Sequence, residues 1–273
     1  MNLDQTLRCL ADDPSAPFDL AEVALHLACD EYAHLDVDAY LSQIEAMAHE
    51  AKGYMRGDVS AKLDGLCRYL FHDLGFRGNE ADYYDPRNSY LNIVLERRTG
   101  IPITLCAVAI AVGQRAGFPV HGLGMPGHFI AKVVVDGQEL LFDPFHGGRA
   151  LTRTDCENLV HQITGVGLEI TDMHLTEAPI GFILQRMLTN LKGSYLARED
   201  FRRGIRVIQR MQLLDPLNPL HIRDLGACFL KNQEPGKAID HLEAYLHLMP
   251  KAADKGRVQD LLLEAQKMIA QWN

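Results

Sequence analysis

The chain has 273 residues, 47% of them hydrophobic and 23% charged, and a formal net charge of −9. Domains cluster around roughly 100 to 150 residues, so this length predicts about two, and the ordinary globular composition argues against a largely disordered or collagen-like chain. No apolar run approaches the ~18 residues of a membrane span, and the N-terminal MNLDQTLRCLADD lacks the basic and apolar regions of a secretory signal. A cytoplasmic protein is therefore expected, with no membrane partner, and the acidic balance disfavours nucleic acid. The six cysteines contain no CxxC pair and read as reduced, mostly buried thiols rather than a disulfide framework or a zinc ribbon.

The first hundred residues read as helices. Asp19 with Glu22 makes a capping-box pattern ahead of Leu20, Val23, Ala24, Leu27 and Ala28, whose spacing gives one apolar face. A second helix is predicted over about 37–51. A third is capped by Ser60 and stops at Gly75. After the loop GNEADYYDPRN, Asn88 or Ser89 is expected to cap a short helix through Arg97, ended by Gly100. Pro102 then sits in the first turn of a helix, ITLCAVAIAVGQRAG, that is apolar nearly all round and so buried on most sides.

Downstream the period changes. PVHGLGM, HFIAKVVV and QELLFD are short runs rich in branched and aromatic residues, and Asp136-Gly137 between the last two is a hairpin signal. This is α+β order. Thr154 with Glu157 is expected to open a further helix, and beyond about Pro179 the chain reads helical to its end. There, Leu213-Leu214-Asp215-Pro216 recurs as His247-Leu248-Met249-Pro250, Asn190-Leu191 as Asp224-Leu225, Tyr195 as Phe229 and Gly204 as Ala238, each 34 residues apart. That is the period of tetratricopeptide (TPR) helix pairs. The expected division is therefore an α+β domain over 1–178 and a TPR-like helical domain over 179–273. Because stacked repeats usually need about three units to bury their faces, the tail is expected to dock on the N-terminal domain.

With Asp136 and Gly137 as turn residues, Val135 pairs with Gln138, and counting outward sets His128 opposite Phe145, two residues from Asp143. His128 and Asp143 then share a face within reach of a hydrogen bond. A carboxylate that orients an imidazole is the base half of a nucleophilic triad, and the buried helix offers Cys106 as the nucleophile. A metal reading would combine His128 and Asp143 with His121 or His146. Without a short ligand spacing such as HExxH, no metal and no cofactor are expected.

SYLNIVLERRTGIPITL, GLGMPGHFIAKV and LLFDPFHGG, followed by the repeats, resemble the bacterial SirB-type family: a transglutaminase-like domain of the papain-like group with a TPR tail. The resemblance implies that His128 and Asp143 stand at the superfamily's catalytic histidine and aspartate. The superfamily's cysteine falls on Pro102, which has neither a thiol nor an amide hydrogen. Cys106 lies one helical turn later on the same face, displaced by about 5.4 Å along the axis. The family is named after a regulator of bacterial invasion genes, which implies a regulatory role.

The polar segment Tyr84, Asp85, Arg87, Asn88 and Ser89 lies at a helix start, where backbone N–H groups bind an anion or a carbonyl, or where it serves as an ordinary capped loop. Arg198, Arg202, Arg206 and Arg210 form a basic stripe that reads as a solvated face or as a surface for an acidic partner, with Arg202 and Arg206 at its centre. The expected function is non-catalytic protein binding in regulation: a pocket around His128, Asp143 and the Tyr84–Ser89 loop, coupled to a TPR surface for a protein or peptide partner. The alternative is a thiol acyltransferase or amidohydrolase using Cys106, His128 and Asp143.

Overall fold

A computed structural model describes residues 2–272, without the side chain of Trp272. The chain forms two compact units, one of Pro14–Met187 and one of Leu188–Asn273 together with Met1–Asp13. The architecture is the expected one, an α+β domain and a set of C-terminal helices. The division differs from the expected 1–178 and 179–273: it falls inside a helix, and the N-terminal helix α1 (Leu3–Asp12) belongs with the C-terminal unit.

In the first unit, α2 (Leu20–Ala28), α3 (Val37–Tyr54) and α4 (Val59–Cys67) are each capped by an aspartate. Asp19 accepts the Glu22 N–H at 2.9 Å, as the pattern predicts. For α4 the cap is Asp58, which accepts the Ala61 N–H at 2.9 Å, and the expected cap Ser60 lies within the helix. The helix begins where an extended residue first offers its N3 amide an acceptor, and Asp58 reaches that position before Ser60 does. A π-helical turn, Arg68–Asp73, carries the chain to Gly75 and the two-residue strand β1 (Arg77–Gly78).

Asn88 and Ser89, expected as caps, instead form part of a 3-10 turn, Pro86–Ser89, and Tyr90 occupies the N-cap of α5 (Leu91–Arg97). The strand β2 (Thr99–Gly100) runs parallel to β1 and leads into α6 (Pro102–Arg115), the predicted buried helix, in which every residue from Pro102 to Gly113 is buried. Pro102 takes the first helical position. Thr104 closes that end, accepting the Ile101 N–H at 3.1 Å and donating its hydroxyl to the Asn88 carbonyl at 2.8 Å.

An antiparallel sheet follows, in the order β3 (Val120–Met125), β4 (His128–Val135), β5 (Gln138–Asp143) and β6 (Arg149–Leu151). The β4–β5 register starts at Val135 opposite Gln138, as the hairpin count expects, with Asp136 and Gly137 at φ 51° and 78°. Two consecutive positive φ angles are those of a type I′ turn, whose twist matches that of the strands. The helix α7 (Arg153–Thr164) is capped by a reciprocal Thr152–Asp155 box, two residues ahead of the predicted Thr154–Glu157 pair. Leu123, Ile130 and Leu141 of the sheet pack with Cys156 and Val160 of α7.

The helix α8 (Ile180–Ala197) spans the division between the units, and α9 (Phe201–Leu214), α10 (Pro219–Lys231), α11 (Pro235–Leu248) and α12 (Lys255–Trp272) follow. α9 and α11 start at 201 and 235 and end at 214 and 248, the 34-residue offset of the repeat. Their core joins Ile205, Ile208, Phe229, Leu242, Tyr245 and Val258. α1 packs on α9, burying Leu7 and Leu10, and Asp4 pairs with Arg210. The physical reason for its membership is that two repeats leave apolar helix surface uncovered. No helix of the described residues is long and apolar enough to cross a membrane.

Candidate functional site

Where β5 ends, Asp143 becomes the N-cap of a 3-10 turn, Pro144–His146, and its Oδ1 accepts the backbone N–H groups of Phe145 (2.9 Å) and His146 (3.4 Å). This anchoring leaves Oδ2 for two imidazoles. Nε2 of His128, at the start of β4, lies 2.9 Å away, and Nδ1 of His146 lies 2.7 Å away. The two histidine rings stack with centroids 5.8 Å apart, and the Phe145 ring stands edge-on to both. Gly78 on β1 makes room for that ring, since a Cβ there would come within 2.6 Å of Phe145 Cε2. His128 and Asp143 are buried, whereas the His146 side chain is 43% exposed. Burial alone would raise the Asp143 carboxyl pKa, but the hydrogen bonds and charge of His128 and His146 hold it below the usual carboxylate value.

The hairpin therefore brings His128 and Asp143 together as the register expects. His146, weighed earlier only as an alternative metal ligand, joins them. His121, the other alternative, lies apart: its Nδ1 meets Glu177 at 3.0 Å. One oxygen and two ring nitrogens, one from each of His128, Asp143 and His146, lie within 4.8 Å of one another, so among the described residues this cluster has donors grouped closely enough to hold a metal ion.

Cys106 is partnered elsewhere. It is wholly buried, and its thiol points at the Phe129 carbonyl at 3.6 Å. Burial, reinforced by the negative charge of Asp143, pushes its pKa well above that of a free thiol. Cys156 in the sheet–α7 core is likewise pushed up by burial, to about 11.

The 84–89 loop divides into structural and surface residues. Asp85 is buried; it accepts the Arg87 N–H at 3.0 Å and pairs with the guanidinium groups of Arg87 (2.8 Å) and Arg97 (3.2 Å). Asn88, fully buried, donates to the carbonyls of Asp82 and Tyr83 and accepts from Asn79. Ser89 is buried as well; Asp85 and Asn88 hold the loop's shape through these bonds, while Tyr84 and Arg87 face outward. Tyr83 links the loop to the histidine cluster: its ring stands edge-on to Tyr84 at 5.4 Å and to Phe145 at 6.4 Å. A second residue that sequence reading passed over is Arg186 of α8. Its guanidinium donates to the carbonyls of Met125 (3.0 Å) and His128 (3.2 Å) and lies over the Phe129 ring, clasping the β3–β4 turn.

In the helical unit, Arg202 is exposed and Arg206 half-exposed, while Arg203 pairs with Asp200 at 2.6 Å and Arg210 with Asp4. A cavity of about 430 Å³ is lined by residues that include Lys192, Arg223, Lys231, Arg257, Asp224 and Asp254, with Leu196, Phe201 and Leu261 as its apolar part. Its centre is a network in which Arg223 bonds Asp224 and Asp254 (each 2.7 Å) and Lys192 bonds Asp224 (2.8 Å).

Residues 38–189 match the transglutaminase-like superfamily, and residues 191–263 match the tetratricopeptide repeat. A UPF0162 protein of Xylella fastidiosa is 37% identical over 265 residues, covering 93% of this chain and 91% of that protein. A UPF0162 protein of Pseudomonas aeruginosa is 32% identical, covering 77% and 76%. Human F-box only protein 21 is 32% identical over 145 residues, covering 48% of this chain and 21% of that protein.

Proposed function

The chain belongs to the transglutaminase-like superfamily, in its bacterial SirB-type branch with a TPR tail, and from that premise we propose that it is a cytoplasmic regulatory protein that works by binding other proteins, without a catalytic thiol. The observation that carries this reading is the condition of Cys106: fully enclosed, bonded to a backbone carbonyl and held in its thiol form. A cysteine nucleophile needs a thiolate with a path to solvent. At the start of the same helix stands Pro102, which has no sulfur and no N–H to donate to an oxyanion.

The partner surface is assigned to the helical unit. Four basic residues (Lys192, Arg223, Lys231, Arg257) and two acidic ones (Asp224, Asp254) line its cavity, and Arg202 with Arg206 adds positive charge on α9, in a chain whose net charge is −9. A local excess of basic charge favours an acidic segment of another protein. The test is quantitative affinity capture with the full chain, its Cys106→Ala variant and its Arg202→Glu/Arg206→Glu variant. The binding reading expects the captured partner to persist with Cys106→Ala and to fall away with the charge reversal. Unchanged recovery with the reversed charges removes the α9 stripe from the reading, and loss of recovery with Cys106→Ala in a folded protein argues for a thiol-dependent role.

A further inference from the structure

We propose that His128, Asp143 and His146 form a binding site for a divalent transition-metal ion of the zinc class. Two ring nitrogens converge on one carboxylate oxygen. Oδ2 of Asp143 is met at once by Nε2 of His128 (2.9 Å) and Nδ1 of His146 (2.7 Å), and the three atoms lie within 4.8 Å of one another. Two imidazoles and one carboxylate are the donor set that zinc and its first-row neighbours favour, and three protein ligands leave a coordination position open.

The surroundings fit a ligand set. Asp143 is fixed by the two backbone amides on its other oxygen, the kind of supporting hydrogen bond that orients a metal-bound carboxylate. His128 is itself the first residue of β4, and its carbonyl is held by Arg186. His146 rides on the 3-10 turn that Asp143 itself caps, so the spacing of three residues between Asp143 and His146 is a short ligand spacing built by local geometry. Phe145 packs edge-on against both imidazoles and limits their rotation. Access comes from the His146 side, the exposed member. In hydrogen-bonded contact the oxygen and nitrogens are closer than ligands about a single ion. Metal–ligand distances of about 2.0–2.1 Å put tetrahedral donors roughly 3.4 Å apart, so binding requires both Oδ2–nitrogen contacts to lengthen by roughly 0.5–0.7 Å, a movement the exposed His146 accommodates on its side.

The inference is independent of the partner assigned to the helical unit and of the fate of Cys106. Titrating the full chain with zinc chloride, and with cobalt(II) chloride as a spectroscopic probe, tests it directly. The expected result is one equivalent bound per chain, with visible cobalt bands of near-tetrahedral intensity. Affinity should fall at least tenfold in His146→Ala and remain within twofold in His121→Ala. Because the His146 side chain is half-exposed, that variant is expected to fold, which circular dichroism verifies, and Asp143→Asn supplies a second ligand variant. Absence of a bound equivalent, or affinity retained within twofold in folded His146→Ala, overturns the proposal. So does a loss in His121→Ala equal to that in His146→Ala, which would mark nonspecific binding to surface histidines.

Discussion

His128 and Asp143 are joined at 2.9 Å inside the protein although they lie fifteen positions apart in the sequence, and the same carboxylate oxygen also receives His146 at 2.7 Å. Asp143 thus serves four donors, two backbone and two side-chain. Replacing it with alanine leaves the buried His128 ring and two part-buried backbone N–H groups without their acceptor, a cost of about 3 kcal/mol, whereas His146→Ala removes a half-exposed partner and costs about 1 kcal/mol or less. Urea unfolding of the two variants is expected to show this order. Equal losses would mean that Asp143 does not anchor the turn.

The Asp85 carboxyl behaves as a second buried anchor. Burial raises its pKa, but the hydrogen bonds and charge of Arg87, with the charge of Arg97, bring it below the usual carboxylate value. A group whose pKa is depressed on folding stabilises the protein at pH values above its unfolded pKa, about 4, and that contribution is lost as pH falls through the lower folded value. Urea midpoints measured from pH 7 down to pH 3 are therefore expected to fall less steeply below pH 4 in Asp85→Asn than in the wild type. Parallel profiles would show that Asp85 does not contribute to the acid sensitivity.

The packing of α1 on α9 gives the N-terminus a structural task. Leu7 and Leu10 are buried at 0% and 1% exposure, and truncation of a buried leucine typically costs about 2–5 kcal/mol. A Leu7→Ala/Leu10→Ala variant is expected to melt well below the wild type, with the loss concentrated in hydrogen-exchange protection of α9. Unchanged protection of α9 would show that α1 is not part of the helical unit's core.

Much of this was legible in the sequence wherever local rules govern. The Asp136-Gly137 turn sets the β4–β5 register, so the meeting of His128 and Asp143 follows by counting. The 34-residue offset places α9 and α11 for the same reason. What escaped depends on competition or on distance. Ser60 and Thr154 are sound caps in isolation, yet Asp58 and Thr152 stand two residues earlier and take the helix starts. His146 needed the turn that follows Asp143. Its signal was Asp-Pro-x-His, an aspartate cap and a proline at the first position of a turn, which returns the third residue to the carboxylate. Arg186 reaches carbonyls about sixty residues away, and nothing in its own helix announces that. The loop residues Asp85 and Asn88 have the polarity of a binding loop because their own backbone uses it.

The account rests most heavily on the enclosure of Cys106, and native-state alkylation at pH 8 followed by peptide mapping measures it directly. Exposed Cys9 is expected to be modified first and Cys106 to remain unmodified until denaturant is added, with no change in His128→Ala. Rapid labelling of Cys106 in the folded protein, abolished by His128→Ala, would contradict the account and identify an activated catalytic thiol.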